Sequence, residues 1–292
     1  MADRLEEARA LSRALSADLL ARIRREVARL DRAPVLAVVQ SSGDAASSYA
    51  AGRRKAGAEA GVRVESTSLP EGGSAAAERV IVGLSEDPEI AAVLIETPVA
   101  PALREAQLRS ALAPAKDAEG LSAFNYGRLF SARRWEEVEE GAFPVPPTAL
   151  AIAALARGCG VELKGIAALV AGRSNAVGKP AAHLLSLLGA TVTIAHSQTR
   201  DLPTLCSRAE LLVACAGKPE FVDAAWVRKG AVVIDAGVNV RGGSLVGDVA
   251  PDAADRAAFM TPVPGGVGPL TTAHLLHNVL LLKKLQAHPL RK

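Results

Sequence analysis

Apolar residues recur along the first part of the chain in patterns that alternate between strand and helix. Leu5, Leu11, Leu15, Leu19 and Ile23 fall three or four residues apart or at multiples of that spacing, which predicts one or two amphipathic helices over residues 3–31. The candidate strands that follow are 34–39, 62–69 and 91–95, and the candidate helices are 45–61, 76–84 and 101–112. Such alternation predicts βαβ units with a parallel sheet and right-handed crossovers.

This alternation breaks between residues 113 and 148, where a polar, loop-like stretch leads into the proline-rich segment Phe143 to Thr148. We expect a domain junction there. The alternation then resumes with candidate helices at 148–157, at 177–188 and from 271 onward, and candidate strands at 166–171, 191–195, 211–216 and 231–235. The prediction is an α/β protein of two domains.

The composition narrows the class of protein. The 292 residues are 49% hydrophobic and 22% charged, and the net charge is only +3, which gives little reason to expect a nucleic-acid or membrane partner. No apolar run reaches the roughly 18 residues of a membrane span, and the N-terminus lacks the apolar run of a signal peptide. The three cysteines form no CxxC pair, and the histidines have no metal-ligand spacing. We therefore expect a cytoplasmic protein without a metal site.

A glycine-rich loop, GRSNAVG at residues 172–178, joins a candidate strand to a candidate helix. Glycine permits a tight turn and a close backbone approach, and the free N–H groups of a helix start attract an anion. Gly172 and Gly178 are present, but Ser174 stands where the GxGxxG pattern has its middle glycine. The loop predicts a dinucleotide site, and an ordinary strand-to-helix turn remains the alternative.

The end of the next candidate strand indicates which dinucleotide is bound. NAD-selective folds place an acid there for the ribose hydroxyl, whereas this strand ends in His196-Ser197-Gln198-Thr199. Arg173, with Ser197 and His196, is suited to hold a 2′-phosphate. The pattern favours NADP, and NAD remains possible.

Four segments together resemble one family. They are YAAGRRKA at 49–56, KDAEG at 116–120 with NYGRL at 125–129, GRSNAVGKP at 172–180 with His196-Ser197, and TPVPGGVGPLT at 261–271. Their order and spacing are similar to those of the bifunctional methylenetetrahydrofolate dehydrogenase/methenyltetrahydrofolate cyclohydrolase family. The resemblance implies an N-terminal catalytic domain at 1–145, completed by a C-terminal helix at 271–292, and a Rossmann-like NADP domain at 146–270. It also implies a folate cleft between the domains and a homodimer.

The resemblance implies three sets of site residues. The cofactor-binding set is Gly172, Arg173, Ser174, Val177, Gly178, His196, Ser197, Val238 and Thr271. The substrate-binding set is Tyr49, Arg53, Ile95, Glu96, Thr97, Glu119, Pro264, Gly265 and Gly266. The catalytic set is Tyr49, Arg53, Glu96 and Glu119. In this family hydride passes from the folate's methylene bridge to NADP, and water then opens the resulting methenyl ring.

Three polar positions depart from the family pattern. Arg53 replaces a proton-transferring lysine, Glu96 replaces a glutamine that bonds that lysine, and Glu119 replaces an aspartate that grips the pterin ring. Arginine stays protonated in proteins, so it is no general base, and Glu96 beside it predicts a bidentate ion pair. Lys55 lies about 200° round a helix from Arg53, so we expect it to face elsewhere.

We therefore expect NADP-dependent oxidation of methylenetetrahydrofolate with weak or lost cyclohydrolase activity. A fully bifunctional enzyme and a catalytically silent paralogue that binds a dinucleotide or a pterin stay open. At the residue level, a surface position for Arg53 and a solvated position for Glu96 also stay open.

Overall fold

The computed structural model describes residues 2–41, 48–70 and 73–287, and for Ala2, Asp3, Ser48 and Tyr49 it describes the backbone alone. The chain divides into two compact units. One comprises residues 1–17, 132–139 and 146–274, and the other comprises 18–131, 140–145 and 275–292. We call them the five-stranded unit and the three-stranded unit, after their main sheets. The predicted domain boundaries at 145 and 270 stay a prediction.

The three-stranded unit is built on a parallel sheet with strand order β2-β1-β3. The elements of this part of the chain are α1 (Ala2–Val27), β1 (Val35–Ser41), α2 (Ser48–Ala60), β2 (Arg63–Leu69), α3 (Ser74–Glu86), β3 (Ile90–Ile95), α4 (Glu105–Ala111) and α5 (Ala123–Ser131). Strands β1 and β3 are buried along almost their whole length, as expected of apolar parallel strands. Strand β2 lies at an edge and exposes its polar residues.

One face of this sheet forms a core with α3 and α4. Val35, Val39, Val93 and Ile95 point to that face and pack with Ile81 of α3, among other residues. Because side chains alternate along a strand, the residues between them face the opposite layer. This parity determines which polar residues at the strand ends share a face.

The five-stranded unit is built on a parallel sheet with strand order β10-β7-β6-β4-β5. The remaining elements of the chain are α6 (Trp135–Glu139), α7 (Pro147–Gly158), β4 (Ala167–Ala171), α8 (Gly178–Leu187), β5 (Thr191–Ala195), α9 (Leu202–Arg208), β6 (Leu211–Ala214), β7 (Val232–Asp235), β8 (Asn239–Arg241), β9 (Ser244–Val246), β10 (Phe259–Met260) and α10 (Val267–Ala287). Strands β8 and β9 form a separate antiparallel hairpin. The predicted parallel α/β architecture is confirmed.

The structure corrects the predicted loop between residues 113 and 148. Helices α5 and α6 occupy much of that stretch. Its polar residues made it look loop-like, but they serve as internal hydrogen-bond partners: the Asn125 side chain is buried and donates to the Pro114 carbonyl and to Asp117. The polarity of Asn125 therefore reflects bonding within the fold and not exposure to solvent.

Several element boundaries also differ from the prediction. Helix α4 begins at Glu105 instead of residue 101, and α10 begins at Val267 instead of residue 271. Helix α9 and strands β8 to β10 were not predicted. All four are short, so they carry too few residues for a periodic signal. Among the described residues, no helix is long and apolar enough to cross a membrane.

Candidate functional site

The glycine-rich loop connects the buried end of β4 to the start of α8. Gly172 has a φ of 149°, and a Cβ there would overlap the carbonyl group and the sulfur of Cys215. A Cβ at Gly178 would overlap the carbonyl of Gly172. Both positions therefore require glycine, because the loop folds tightly on itself and against the residue that follows β6. The turn leaves no space for a side chain at either glycine.

Ser174 organises this loop. Its hydroxyl oxygen accepts hydrogen bonds from the N–H groups of Val177 and Gly178, at 3.2 and 3.4 Å. Side chains of this type at a helix start satisfy N–H groups that would otherwise lack a partner. Serine at the middle position of the motif thus stabilises the turn by side-chain hydrogen bonds, which a glycine cannot form. Arg173 and Ser174 are both exposed.

The end of β5 lies beside the glycine-rich loop. Ala171 pairs with Ala195, and the N–H of Gly172 donates to the carbonyl of Ala195 at 2.9 Å. His196 and Ser197 therefore follow on the strand adjacent to the one that leads into Arg173. The N–H of Gln198 donates to His196 Nδ1, which orients the imidazole. The structure thus brings the loop and the three residues predicted for a 2′-phosphate to one sheet edge.

Two buried aspartates organise the same edge, and the sequence analysis missed both. Asp248 is fully buried and accepts hydrogen bonds from the N–H groups of Ala216, Gly217 and Lys218. It also accepts from the side chain of Asn239 at 2.9 Å. Asp248 therefore holds the loop after β6, whose first residue packs against the glycine-rich loop.

Asp235 ends β7 and lies beneath Asp248. Its carboxylate accepts from the N–H groups of Gly237, Asp248 and Val249. Burial raises the pKa of Asp235 to about 6, although these three backbone donors oppose the rise. The only sequence signal was an acid at the end of an apolar strand, which does not reveal where its hydrogen bonds go.

The TPVPGGVGP segment precedes α10. Gly265 has a φ of 101°, and a Cβ at Gly266 would overlap Thr261 and Pro262. The hydroxyl of Ser12 in α1 donates to the carbonyl of Gly266. The predicted substrate residues Pro264, Gly265 and Gly266 therefore lie in a turn whose shape requires glycine.

The other two predicted cofactor residues of the five-stranded unit have different environments. Val238 is 50% exposed just before β8, and its assignment to the cofactor stays a prediction. The hydroxyl of Thr271 donates to the carbonyl of Val267 within α10, so that donor is already used.

An ion pair joins Arg53 of α2 to Glu96 at the end of β3. Arg53 Nη2 lies 2.7 Å from Glu96 Oε1, and the side chains are 9% and 25% exposed. The alternative of a surface position for Arg53 is therefore wrong. The predicted ion pair is confirmed, but the contact is a single N–O pair and not bidentate. Lys55 is exposed, as expected from its position on the helix.

Glu96 directly follows β3 and is hydrogen-bonded to the neighbouring strand. The N–H of Glu96 donates to the carbonyl of Val39 in β1 at 2.8 Å, and Ile95 is buried in the core. Thr97 follows, exposed, in the loop after the strand. Tyr49, the other predicted catalytic residue, has a side chain that lies outside the described part of the chain.

Glu119 is paired with an arginine that the sequence analysis did not identify. Arg109 of α4 places Nη1 2.9 Å from Glu119 Oε2 and Nε 2.7 Å from Glu105 Oε1. Burial raises the pKa of Glu119, and the charge of Arg109 opposes but does not cancel that rise. One oxygen of the carboxylate is therefore engaged by the protein itself.

The loop that carries Glu119 is anchored to β3. Asp117 accepts from the N–H groups of Glu119 and Ser122, and the N–H of Ala118 donates to the carbonyl of Val93. Gly120 has a φ of 66°, and a Cβ there would overlap the carbonyl of Pro144. Asp117 therefore stabilises this loop through its own backbone. Within the described residues no cluster of acids, histidines and cysteines is arranged to hold a metal.

Comparisons with family models cover most of the chain. Residues 7–119 match the tetrahydrofolate dehydrogenase/cyclohydrolase catalytic domain. Residues 146–287 match the tetrahydrofolate dehydrogenase/cyclohydrolase NAD(P)-binding domain. Residues 120–145 lie between the two matches, and the second match begins within the proline-rich segment.

Individual proteins are similar over comparable lengths. A "Bifunctional protein FolD" of Acidiphilium cryptum is 41% identical, covering 96% of this chain and 98% of its own length. A protein of the same name from Thermus thermophilus is 43% identical, covering 80% of this chain and 79% of its own. The solved Trypanosoma brucei methylenetetrahydrofolate dehydrogenase-cyclohydrolase, complexed with NADP and an inhibitor, has a TM-score of 0.84 at 34% identity. It covers 96% of this chain and 97% of its own.

Proposed function

The chain belongs to the tetrahydrofolate dehydrogenase/cyclohydrolase family, and from that premise we propose that it oxidises 5,10-methylenetetrahydrofolate to 5,10-methenyltetrahydrofolate with NADP, while its cyclohydrolase activity is weak or lost. The observation that carries the second half is the Arg53–Glu96 ion pair. The first half is supported by the geometry of the glycine-rich loop together with the NADP complex of the trypanosomal relative.

The residues of the five-stranded unit fit a dinucleotide with an extra phosphate. We place the pyrophosphate at the glycine-rich loop, against the start of α8, where the helix dipole is positive. Arg173 and Ser197 offer a guanidinium and a hydroxyl at the adjacent strand ends, where an NAD-selective fold has an acid. These features favour NADP over NAD as the cofactor.

The dehydrogenase step does not require an acidic or basic side chain of the protein to transfer a proton. The bound nicotinamide supplies the hydride chemistry, and the chain supplies orientation and electrostatics. We assign Glu119 to the polar edge of the pterin ring, in the role of the family's aspartate, with Arg109 holding its carboxylate in place. Hydride transfer requires no proton transfer by the Arg53–Glu96 pair or by the Arg109–Glu119 pair.

The cyclohydrolase step has a stricter requirement. Adding water to the methenyl cation needs a group that takes up a proton near the working pH. A guanidinium does not do this, and the Glu96 carboxylate 2.7 Å away stabilises its charge further. We infer that Arg53 and Glu96 position the substrate but do not transfer protons in hydrolysis.

A fully bifunctional enzyme is the second candidate, because relatives at 41% and 43% identity carry a bifunctional name. We also propose a homodimeric, cytoplasmic enzyme, by analogy with the family. A catalytically silent paralogue is the remaining alternative.

Two assays on the purified full-length protein separate these candidates. The first follows NADPH formation from methylenetetrahydrofolate and NADP, and the second follows hydrolysis of methenyltetrahydrofolate without NADP. We expect turnover in the first and, in the second, a rate close to that without enzyme. Rapid hydrolysis would favour the bifunctional enzyme, and silence in both assays with NADP or NAD would favour the paralogue.

A further inference from the structure

Gln40 is a buried polar residue of β1 that neither the sequence analysis nor the proposed mechanism uses. It is 5% exposed, and the structure shows no hydrogen-bond partner for its buried Oε1 atom. Buried side-chain polar atoms are nearly always hydrogen-bonded in native proteins, because an unpaired one costs folding free energy. An amide retained at such a position therefore needs an explanation.

The sheet register places Gln40 beside Glu96. Val39 of β1 pairs with Ile95 of β3, and the N–H of Glu96 donates to the carbonyl of Val39. Gln40 and Glu96 are the next residues on these neighbouring parallel strands. Because side chains alternate along a strand, both point to the same face of the sheet.

That face is the one on which Arg53 lies. Val39 and Ile95 point to the core with α3 and α4, so Gln40 and Glu96 point to the opposite layer. Glu96 meets Arg53 of α2 there. The carboxamide and the ion pair therefore share one layer at the carboxyl end of the sheet, where ligands bind in α/β proteins.

The Arg53–Glu96 ion pair provides no hydrogen bond to the Gln40 amide oxygen. Arg53 donates to Glu96, and the hydrogen bonds of Gln40 do not include that guanidinium. Glu96, the neighbour of Gln40 across the sheet, is 25% exposed, so this layer is open to solvent directly beside Gln40. A ligand N–H or amino group would satisfy the amide oxygen.

We propose that Gln40 is a substrate-binding residue, whose side-chain oxygen accepts a hydrogen bond from an N–H or amino group of the folate-type substrate beside the Arg53–Glu96 pair. The proposal rests on the proposed function for the identity of the substrate. It does not depend on whether the cyclohydrolase activity survives.

The test replaces Gln40 by methionine, which has a similar length and volume but cannot accept a comparable hydrogen bond. We expect the KM for methylenetetrahydrofolate to rise about fivefold, as for loss of one hydrogen bond, with the KM for NADP unchanged. The Tm of the ligand-free Gln40→Met protein is expected to equal or exceed that of the wild type, because the buried unpaired atom is gone. The matched control is Gln107→Met, an exposed residue of α4, for which both KM values and the Tm stay the same.

The outcomes separate this proposal from the proposed function. If the wild type reduces NADP and Gln40→Met leaves the KM for the folate unchanged, or lowers the Tm, Gln40 is a core residue and the proposal is overturned. If the wild type is inactive, calorimetric titration with tetrahydrofolate replaces the KM, and about fivefold weaker binding to Gln40→Met supports the proposal while the proposed function fails. A wild type that neither reacts nor binds tetrahydrofolate overturns both.

Discussion

Four charged side chains of the three-stranded unit form two ion pairs that are largely shielded from solvent. Arg53 pairs with Glu96, and Arg109 pairs with Glu119. The side chains are 9% to 25% exposed, so solvent screens these pairs less than it screens surface pairs. The pairs fix charge and geometry together, which suits substrate positioning.

The first prediction concerns a variant that restores the lysine and glutamine of the family pattern. In the double variant Arg53→Lys with Glu96→Gln, a lysine loses its anionic partner and can release a proton more readily. We expect hydrolysis of methenyltetrahydrofolate to rise at least about tenfold, with NADP reduction within about threefold of the wild type. Arg54→Lys, on the exposed side of the same helix, is the control. An unchanged rate of hydrolysis in the double variant would show that the defect lies elsewhere.

The second prediction concerns the support of Glu119. Arg109→Met leaves a half-buried carboxylate without its cation, and we expect the free energy of unfolding to fall by about 1–3 kcal/mol. The pKa of Glu119, already raised, rises further in this variant. Because the stability of an acid with a raised folded-state pKa is lost as the pH rises, the deficit grows from pH 5 to pH 8.

Arg134→Met is the matched control for this prediction. Arg134 also pairs with a glutamate, Glu137, but the two side chains are 72% and 39% exposed. Exposed pairs contribute little, so we expect a change within about 0.5 kcal/mol. Equal losses in urea unfolding of the two variants would contradict the role given to Arg109.

At the scale of elements, the loops at the carboxyl ends of β4, β5, β6 and β7 act as one assembly. Gly172 at the end of β4 packs on Cys215 after β6, and Asp248 holds the next three residues of that loop. Asp235 at the end of β7 in turn accepts from the N–H of Asp248. Substitution of either aspartate is therefore expected to alter the position of the glycine-rich loop through backbone contacts.

The third prediction tests this connection. In Asp248→Asn, an amide NH2 group replaces one carboxylate oxygen and cannot accept hydrogen bonds from the backbone N–H groups after β6. We therefore expect the loop after β6 to shift. We expect the KM for NADP to rise about tenfold while the KM for methylenetetrahydrofolate changes by less than about twofold. Asp223→Asn is the control, since Asp223 also accepts from two backbone N–H groups but lies on the surface. Equal effects on both KM values would mean that Asp248 supports the fold in general.

The fourth prediction concerns Asp235 and pH. Its pKa is raised from 3.8 to about 6, so the folded protein binds this proton more tightly than the unfolded chain does. The stability from this group is therefore complete below about pH 4 and is lost as the pH rises through 6, by about 2–3 kcal/mol. We expect Asp235→Asn to lack this component when denaturant unfolding is compared at pH 4.5 and 7. The same pH dependence in both proteins would assign the effect to other groups.

At the scale of the whole molecule, ligand binding adds to stability by mass action. A cofactor at about one hundred times its Kd stabilises the native state by about 2.7 kcal/mol. The Tm of the chain with NADP or NAD therefore reports cofactor preference without requiring turnover.

The fifth prediction uses this measurement. At equal concentrations, NADP is expected to raise the Tm of the wild type more than NAD does, since we propose that Arg173 binds the 2′-phosphate. In Arg173→Ala the two cofactors should give the same shift, with NADP affinity reduced roughly tenfold or more. Arg208→Ala, an exposed arginine at the end of α9, is expected to behave as the wild type. A larger NADP shift that survives Arg173→Ala would place the phosphate contact elsewhere.

The sequence by itself determined the parallel α/β class, the place of the glycine-rich loop, and the pairing of Arg53 with Glu96. These depend on local patterns: apolar runs, glycine spacing, and motifs whose register a few neighbouring residues define. Helix α5 was missed for the opposite reason, since the polarity of Asn125 is satisfied by distant groups and not by water.

Only the tertiary structure decided the burial and the contacts of Arg109, Asp235, Asp248 and Gln40. Each depends on the presence or absence of a hydrogen-bond or ion-pair partner, and no sequence motif indicates that partner. Asp248 bonds to N–H groups about thirty residues away, and any residue type carries such a group. Gln40 looks like the polar end of a strand until the register with β3 and its burial are known. Side-chain identity is local, whereas burial and hydrogen-bond partners are properties of the folded chain.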